Sequence, residues 1–201
     1  MKNLIYVLLL LFCIPSLAYT KHESSIRAKK YQRKTTFFRQ TVGYESLSLD
    51  YTSAGVNESS NLTGTMLKSE AGFELYSFFI GNLFYTNSSL SKNGDQQIRF
   101  LDSNEFGFMG AFVLTSPLVN LHITAGISYR DADVVLAEET IEVDGYGSNY
   151  GAQLHYHTSS SFALSLTYER IDFRRKEQDE ETVVLSNSEG NRFAVGVSLW
   201  I

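Results

Sequence analysis

The chain has 201 residues, a formal net charge of −5, 13% aromatic residues, two prolines and a single cysteine. The mildly acidic balance offers no electrostatic footprint for a nucleic-acid partner. One cysteine allows no intramolecular disulfide, so staples do not hold the fold together.

The first residues, MKNLIYVLLLLFCIPSLAYT, set Lys2 before an apolar run from Leu4 to Pro15, followed by Ser16, Leu17 and Ala18. That is the layout of an export signal with a small-x-small cleavage site. The run is shorter than the ~20 apolar residues a membrane helix needs. Residues 1–18 are therefore expected to be removed. Cys13 follows the bulky Phe12 inside the apolar run, which does not fit a lipoprotein signal, and it would leave with the segment. Residues 19–36 carry Lys21, Arg27, Lys29, Lys30, Arg33 and Lys34 against one acid, Glu23. They read as a flexible basic tail on the periplasmic side. Asn57, Asn61 and Asn87 each open an Asn-x-Ser/Thr triplet, a pattern short enough to arise by chance.

From residue 37 to 201 the apolar period is two, the signature of half-buried strands. Eight strands are predicted, roughly 38–53, 65–78, 83–91, 104–115, 120–131, 145–157, 161–173 and 191–201. In the first, Leu47, Leu49 and Tyr51 alternate in one phase, while Val42 and Tyr44 hold the other. A bulge would reconcile them. In the fourth, Phe106, Phe108, Phe112 and Leu114 share a face with Gly110. In the fifth, Leu121, Ile123, Ala125, Ile127 and Tyr129 stand against His122, Thr124, Gly126 and Ser128. The sixth sets Tyr146, Tyr150, Leu154 and Tyr156 against Gly147, Asn149, Gln153, His155 and His157. The seventh sets Phe162, Leu164, Leu166 and Tyr168 against Ala163, Ser165, Thr167 and Glu169. The last carries Phe193, Val195, Val197, Leu199 and Ile201 on one face, with Trp200 on the other.

Connections alternate between tight and long. FIGN (79–82), SPLV (116–119) and TSSS (158–161) are tight. The segments between them run from 11 to 16 residues: AGVNESSNLTG, SKNGDQQIRFLDS, DADVVLAEETIEVDG and RKEQDEETVVLSNSEG. In an antiparallel meander this places short turns at one end and long loops at the other, the layout of outer-membrane barrels. An open sheet edge is not tolerated in hydrocarbon, so the sheet must close and the last strand must pair with the first. A soluble sandwich or a lipocalin-like barrel would also alternate. The Gly-, Ser- and Asn-rich second faces suit a crowded lumen better than a solvent-facing surface.

In this layout, from the leading segment to Ile201, the sequence resembles the small eight-stranded outer-membrane barrels of the OmpX, opacity-protein and OmpA barrel-domain type. The resemblance implies an all-β, eight-stranded, antiparallel up-and-down barrel over 37–201 in the cell outer membrane. Periplasmic turns would be short and extracellular loops long. It also implies that Phe193, Val195, Val197, Leu199, Trp200 and Ile201 form a signal read by the barrel-assembly machinery. Strands of that family usually end in Phe or Trp, and here Ile201 follows Trp200.

An eight-stranded barrel is filled by its own side chains, so no wide pore is expected. Inward charges are expected to pair: Glu105 with Arg130 and Glu169 with Arg192, with Lys68, Glu70 and Glu74 lining the second strand. His122, His155 and His157 share the inner phase near the periplasmic end. Neighbouring imidazoles can hold a metal, but no carboxylate or thiol stands at a telling spacing, so no metal or cofactor is assigned. His157, Thr158 and Ser159 approach the His-x-Ser pair of outer-membrane lipid A deacylases, but Ser160 stands where that motif has Asn. They also fall in a periplasmic turn. No catalytic residue is assigned. The two last long loops are acidic, through Asp131, Asp133, Glu138, Glu139, Glu142 and Asp144, and through Glu177, Asp179, Glu180, Glu181 and Glu189. Each also holds a β-prone run, so the strands are expected to continue above the membrane as a rim able to meet a host or cell-surface partner. The functional expectation is a structural, envelope-integrity or adhesive barrel. A lipid-modifying enzyme and a narrow transport or binding barrel are the alternatives.

Overall fold

The computed structural model describes residues 35–201 apart from 54–55, 77, 93–97, 117–118, 137–139 and 176–182. The expected signal, 1–18, and all but the end of the expected tail lie outside these residues. Thr36, the tail's last residue, already opens the first strand.

Eight strands follow one another: β1 Thr36–Ser53, β2 Val56–Tyr76, β3 Phe79–Ser91, β4 Ile98–Thr115, β5 Val119–Leu136, β6 Thr140–His157, β7 Phe162–Arg175 and β8 Val183–Trp200. Each pairs antiparallel with its sequence neighbour, and β8 pairs with β1 to close the barrel. The seam runs from Phe37 opposite Trp200 to Ser53 opposite Val183. Its lower end is tied by the Ile201 amide donating to Thr36 O at 2.8 Å. Around the level of the belt, closure leaves no unpaired edge, as hydrocarbon demands.

The strands run further toward the long-loop end than the alternation suggests. β2 begins at Val56 rather than 65, β4 at Ile98 rather than 104, and β8 at Val183 rather than 191. β5 and β6 extend to Leu136 and from Thr140. The FIGN segment is part of β3, and the β2–β3 turn lies just before it, with Phe78 O accepting from Val113 N at 2.8 Å.

The reason lies in a change of environment along each strand. Near the short-turn end the outward side chains are large and apolar: Phe38, Val42 and Tyr44 on β1, Phe106 and Phe108 on β4, Ile127 on β5, all exposed. Soluble monomers rarely expose more than a few hundred Å² of contiguous apolar surface. Here a belt of such residues covers all eight strands, and it is stable only in hydrocarbon. Higher up, the outward residues turn polar: Ser46, Ser48 and Asp50 on β1, Asp131 and Asp133 on β5. There the inward residues become apolar. Leu47, Leu49, Tyr51, Leu62, Leu90, Leu101, Val134, Ile171 and Phe173 form a buried cluster. A strand alternates with a fixed period of two, so the same inner phase serves both levels, while residue chemistry swaps sides where water replaces lipid.

This corrects the bulge expected in β1. Pairing with β2 runs without interruption from Thr36 opposite Phe73 to Ser53 opposite Val56. Val42 and Tyr44 face out, and Leu47, Leu49 and Tyr51 face in, on one regular strand. An irregularity against β8 falls higher, between Asp50 and Tyr51.

Glycines make room inside. The Phe37 ring lies where a Cβ on Gly72 would stand, and the Phe84 ring covers Gly107 in the same way. Both glycines are inward-facing, so these two large rings fit within a barrel of only eight strands.

Candidate functional site in the barrel lumen

The lumen is layered. At the short-turn end, Phe37, Ile80, Ala111, Val113, Ala163 and Trp200 form an apolar floor. The Phe37 and Trp200 rings lie 4.9 Å apart. Trp200, from the expected assembly signal, thus faces inward. Phe193, Val195, Val197, Leu199 and Ile201 all face outward on the belt.

Above the floor sit the histidines. His122 and His155 stack with ring centroids 4.1 Å apart. His155 Nε2 lies 2.8 Å from Arg39 Nη1, and His157 Nε2 lies 2.9 Å from Asn120 Nδ2. Stacked rings do not converge on a common point. Among the described residues no group of three or more His, Cys, Asp or Glu is arranged to hold a metal ion.

The middle layer carries charge. Arg39, Lys68, Arg130 and Arg192 meet Glu45, Glu70, Glu105 and Glu169, each at most 5% exposed. Four cations thus balance four carboxylates. Arg39 donates to Glu70. Lys68 Nζ reaches Glu169 Oε1 at 2.5 Å and stands 3.7 Å from Glu70. Arg192 donates to Glu105 and, from Nε at 2.8 Å, to Glu45. Arg130 Nη2 donates to Glu45 Oε1 at 2.6 Å and to Ser103 Oγ at 2.6 Å. Ser88 Oγ and Asn82 Nδ2 complete the shells of Glu45 and Glu70 at 2.7 and 2.8 Å. Signs alternate along the chain Arg39, Glu70, Lys68, Glu169, Arg192, Glu45, Arg130. Buried charge is tolerable only when paired and hydrogen-bonded in this manner.

The expected pairs are opposite one another in register but choose other partners. Glu105 faces Arg130 across β4–β5, yet it accepts from Arg192, while Arg130 bonds Glu45. Glu169 faces Arg192 across β7–β8, but their closest approach is 4.0 Å, and Lys68 is the tighter partner. Glu74 is half-buried on β2, and no described cation forms a salt bridge with it. Arg39 and Glu45 belong to the network and were not singled out in the sequence. Their signal was the odd-numbered phase of β1, which the supposed bulge obscured.

Above the charges, the apolar cluster led by Leu47 and Leu49 closes the upper lumen. Against it lies a half-open recess of about 50 Å³ that Arg130 and Phe173 help to line. Outside, at the same level, acids stand in rows across three strands. Asp102 is opposite Asp133, which is opposite Glu142. In the next row two acids, Asp131 and Asp144, stand beside the neutral Asn104. Glu138, Glu139, Glu177, Asp179, Glu180 and Glu181 lie outside the described residues. Glu189 takes an exposed ion pair from Arg170 at 2.7 Å.

Ser159, paired with His157 in the deacylase-like motif, sits in the short β6–β7 turn. Its hydroxyl accepts the backbone N–H groups of Ser161 and Phe162 at 3.2 and 3.0 Å. It serves there as the cap of a serine turn.

No family model and no curated protein matches the sequence. Solved structures do match in shape. Neisserial surface protein A aligns with a TM-score of 0.60 at 14% identity, over 82% of this chain and 97% of that one. The N-terminal β-barrel domain of Pseudomonas aeruginosa OprF aligns at 0.51 and 12%, over 80% and 97%. Outer membrane protein AlkL, solved in lipid bilayers, aligns at 0.52 and 10%, over 84% and 90%. At such identities the likeness is one of fold: the chain has the eight-stranded up-and-down architecture of small outer-membrane barrels.

Proposed function

We propose that the chain is an outer-membrane barrel without a diffusion path, with a structural or adhesive role played through a rigid acidic collar outside the cell. The observation that carries this reading is the lumen. A neutral ion-pair network spans it, with apolar layers above and below. Ions entering would have to displace paired charges or cross an apolar cluster. Meanwhile the strands continue past the belt and present Asp102, Asp131, Asp133, Glu142 and Asp144 to water. The lipid-facing belt, the export signal read in residues 1–18 and the fold shared with outer-membrane proteins support this location. The long-loop end would then face outward, and both ends of the barrel would lie at the periplasmic side. Partners on this reading are outer-membrane lipids, the barrel-assembly machinery through β8, and a basic surface at the collar.

Purified protein reconstituted in planar bilayers should show no discrete conductance steps. Cells displaying an Asp102→Asn, Asp133→Asn, Glu142→Gln variant at unchanged membrane level should attach less to their target surfaces. Regular single-channel currents would overturn the closed-lumen reading. Unchanged attachment would overturn the collar's role.

A further inference from the structure

Gln40 interrupts the belt. It faces outward on β1 between Phe38 and Val42, both exposed and apolar. Its cross-strand neighbours are Ser69 on β2 and Val197 on β8. The Ser69 hydroxyl donates to Gln40 Oε1 at 3.0 Å. Among the described residues that is the only hydrogen bond the carboxamide makes. Both N–H groups of Nε2 point from a surface that lipid should cover. Turning the amide over would satisfy one of them on Ser69 and still leave the other.

Depth decides what can answer this donor. Gln40 lies four residues above Thr36, which is bonded to Ile201 at the short-turn end. It lies four residues below Tyr44, the last outward aromatic before Ser46, Ser48 and Asp50. With a rise of about 3.3 Å per residue on a strand tilted by about 40°, each level is roughly 10 Å away. Gln40 is therefore near the middle of the hydrocarbon, out of reach of lipid ester and headgroup oxygens. An amide left without a partner there is costly. The surface around it is also hollowed. Ser69 and Ala71 are small, and Phe38, Leu83, Tyr85 and Leu199 stand around them.

We propose that this hollow is the contact face of a homodimer within the membrane, with two copies meeting at Gln40. A carboxamide carries both donor and acceptor, so two of them related by a two-fold axis satisfy one another: each Nε2 donates to the other's Oε1. An isologous interface needs such a self-complementary centre. Each Oε1 keeps a second lone pair for its own Ser69. At this depth only another protein can bring an acceptor, and a second copy brings the matching one.

The test uses full-length protein in outer membranes, in a Cys13→Ser background. Val197→Cys, beside Gln40 on β8 and outward on the same hollow, leaves the amide in place and should cross-link to a band of twice the barrel mass under a short thiol reagent. Ile127→Cys, outward on β5 across the barrel and 70% exposed, should not. Energy transfer between labelled copies in vesicles should show about five- to tenfold weaker association for Gln40→Leu. Heat-dependent gel mobility checks that each variant is folded. The proposal fails if Val197→Cys cross-links no better than Ile127→Cys, if its adduct has the mass of a different partner, or if Gln40→Leu associates as the parent does.

Discussion

Glu169 has two cations within reach and uses them unequally. Lys68, from β2, holds it at 2.5 Å, while Arg192, its register neighbour on β8, stands 4.0 Å away and is committed to Glu45 and Glu105. Removing one member of a buried pair strands the other charge, at about 3–5 kcal/mol, whereas neutralising both costs much less. Lys68→Met and Glu169→Gln should each lower stability by that order, and the double variant should recover much of the loss. The coupling energy from urea unfolding in vesicles should exceed that of the Glu169→Gln, Arg192→Met cycle. Equal coupling in the two cycles would mean that register, not the cross-lumen contact, governs the pair. The sequence carried the inner phase of Glu105, Arg130, Glu169 and Arg192. It did not carry their partners, because strand alternation says which residues face inward but not which meet across the lumen.

Within a single strand, β1 shows why part of the fold was legible and part was not. Its lower half obeys the rule for a lipid-facing strand, with Phe38, Val42 and Tyr44 outward and Arg39 and Glu45 inward. Its upper half obeys the rule for a water-facing one, with Leu47 and Leu49 inward and Ser46 and Ser48 outward. Nothing in the sequence alone says where lipid ends, so the swap resembled a bulge. Tyr44, an aromatic of the kind that sits at membrane interfaces, was the available marker. Leu47→Ala should cost about 2–5 kcal/mol, as for a buried core leucine, and Ser48→Ala next to it should stay within about 0.5 kcal/mol. A clear gain in stability for Ser48→Ala in urea unfolding would place the lipid boundary higher, because an outward hydroxyl is disfavoured in hydrocarbon. At the other end of the sheet, β8 finishes with Ile201 outward and 61% exposed, while its backbone ties to Thr36. Ile201→Asp would put a charge on the lowest outward position of the seam. Its level in outer-membrane fractions should fall well below that of Ile201→Val, and equal levels would show that this side chain is not needed for assembly.

For the molecule as a whole, the notable feature of the lumen is the separation between partners around the ring. Lys68 on β2 meets Glu169 on β7, Arg130 on β5 meets Glu45 on β1, and Arg192 on β8 meets Glu105 on β4. These strands stand three or four places apart in a closed ring of eight. Such struts cannot form between strands that are still laying down as a sheet; they join only once β1 has met β8. Contacts made after the rate-limiting step set how slowly a protein comes apart, and leave the rate of its formation nearly untouched. The Lys68→Met, Glu169→Gln double variant should therefore insert into vesicles at the parent's rate. In hot detergent its compact, heat-sensitive band should decay faster than the parent's. A slower insertion with unchanged decay would mean that the struts act early. In the membrane, where a released chain has no ready route back, that difference in timing makes the charged interior a lock on the finished barrel rather than a guide to its making.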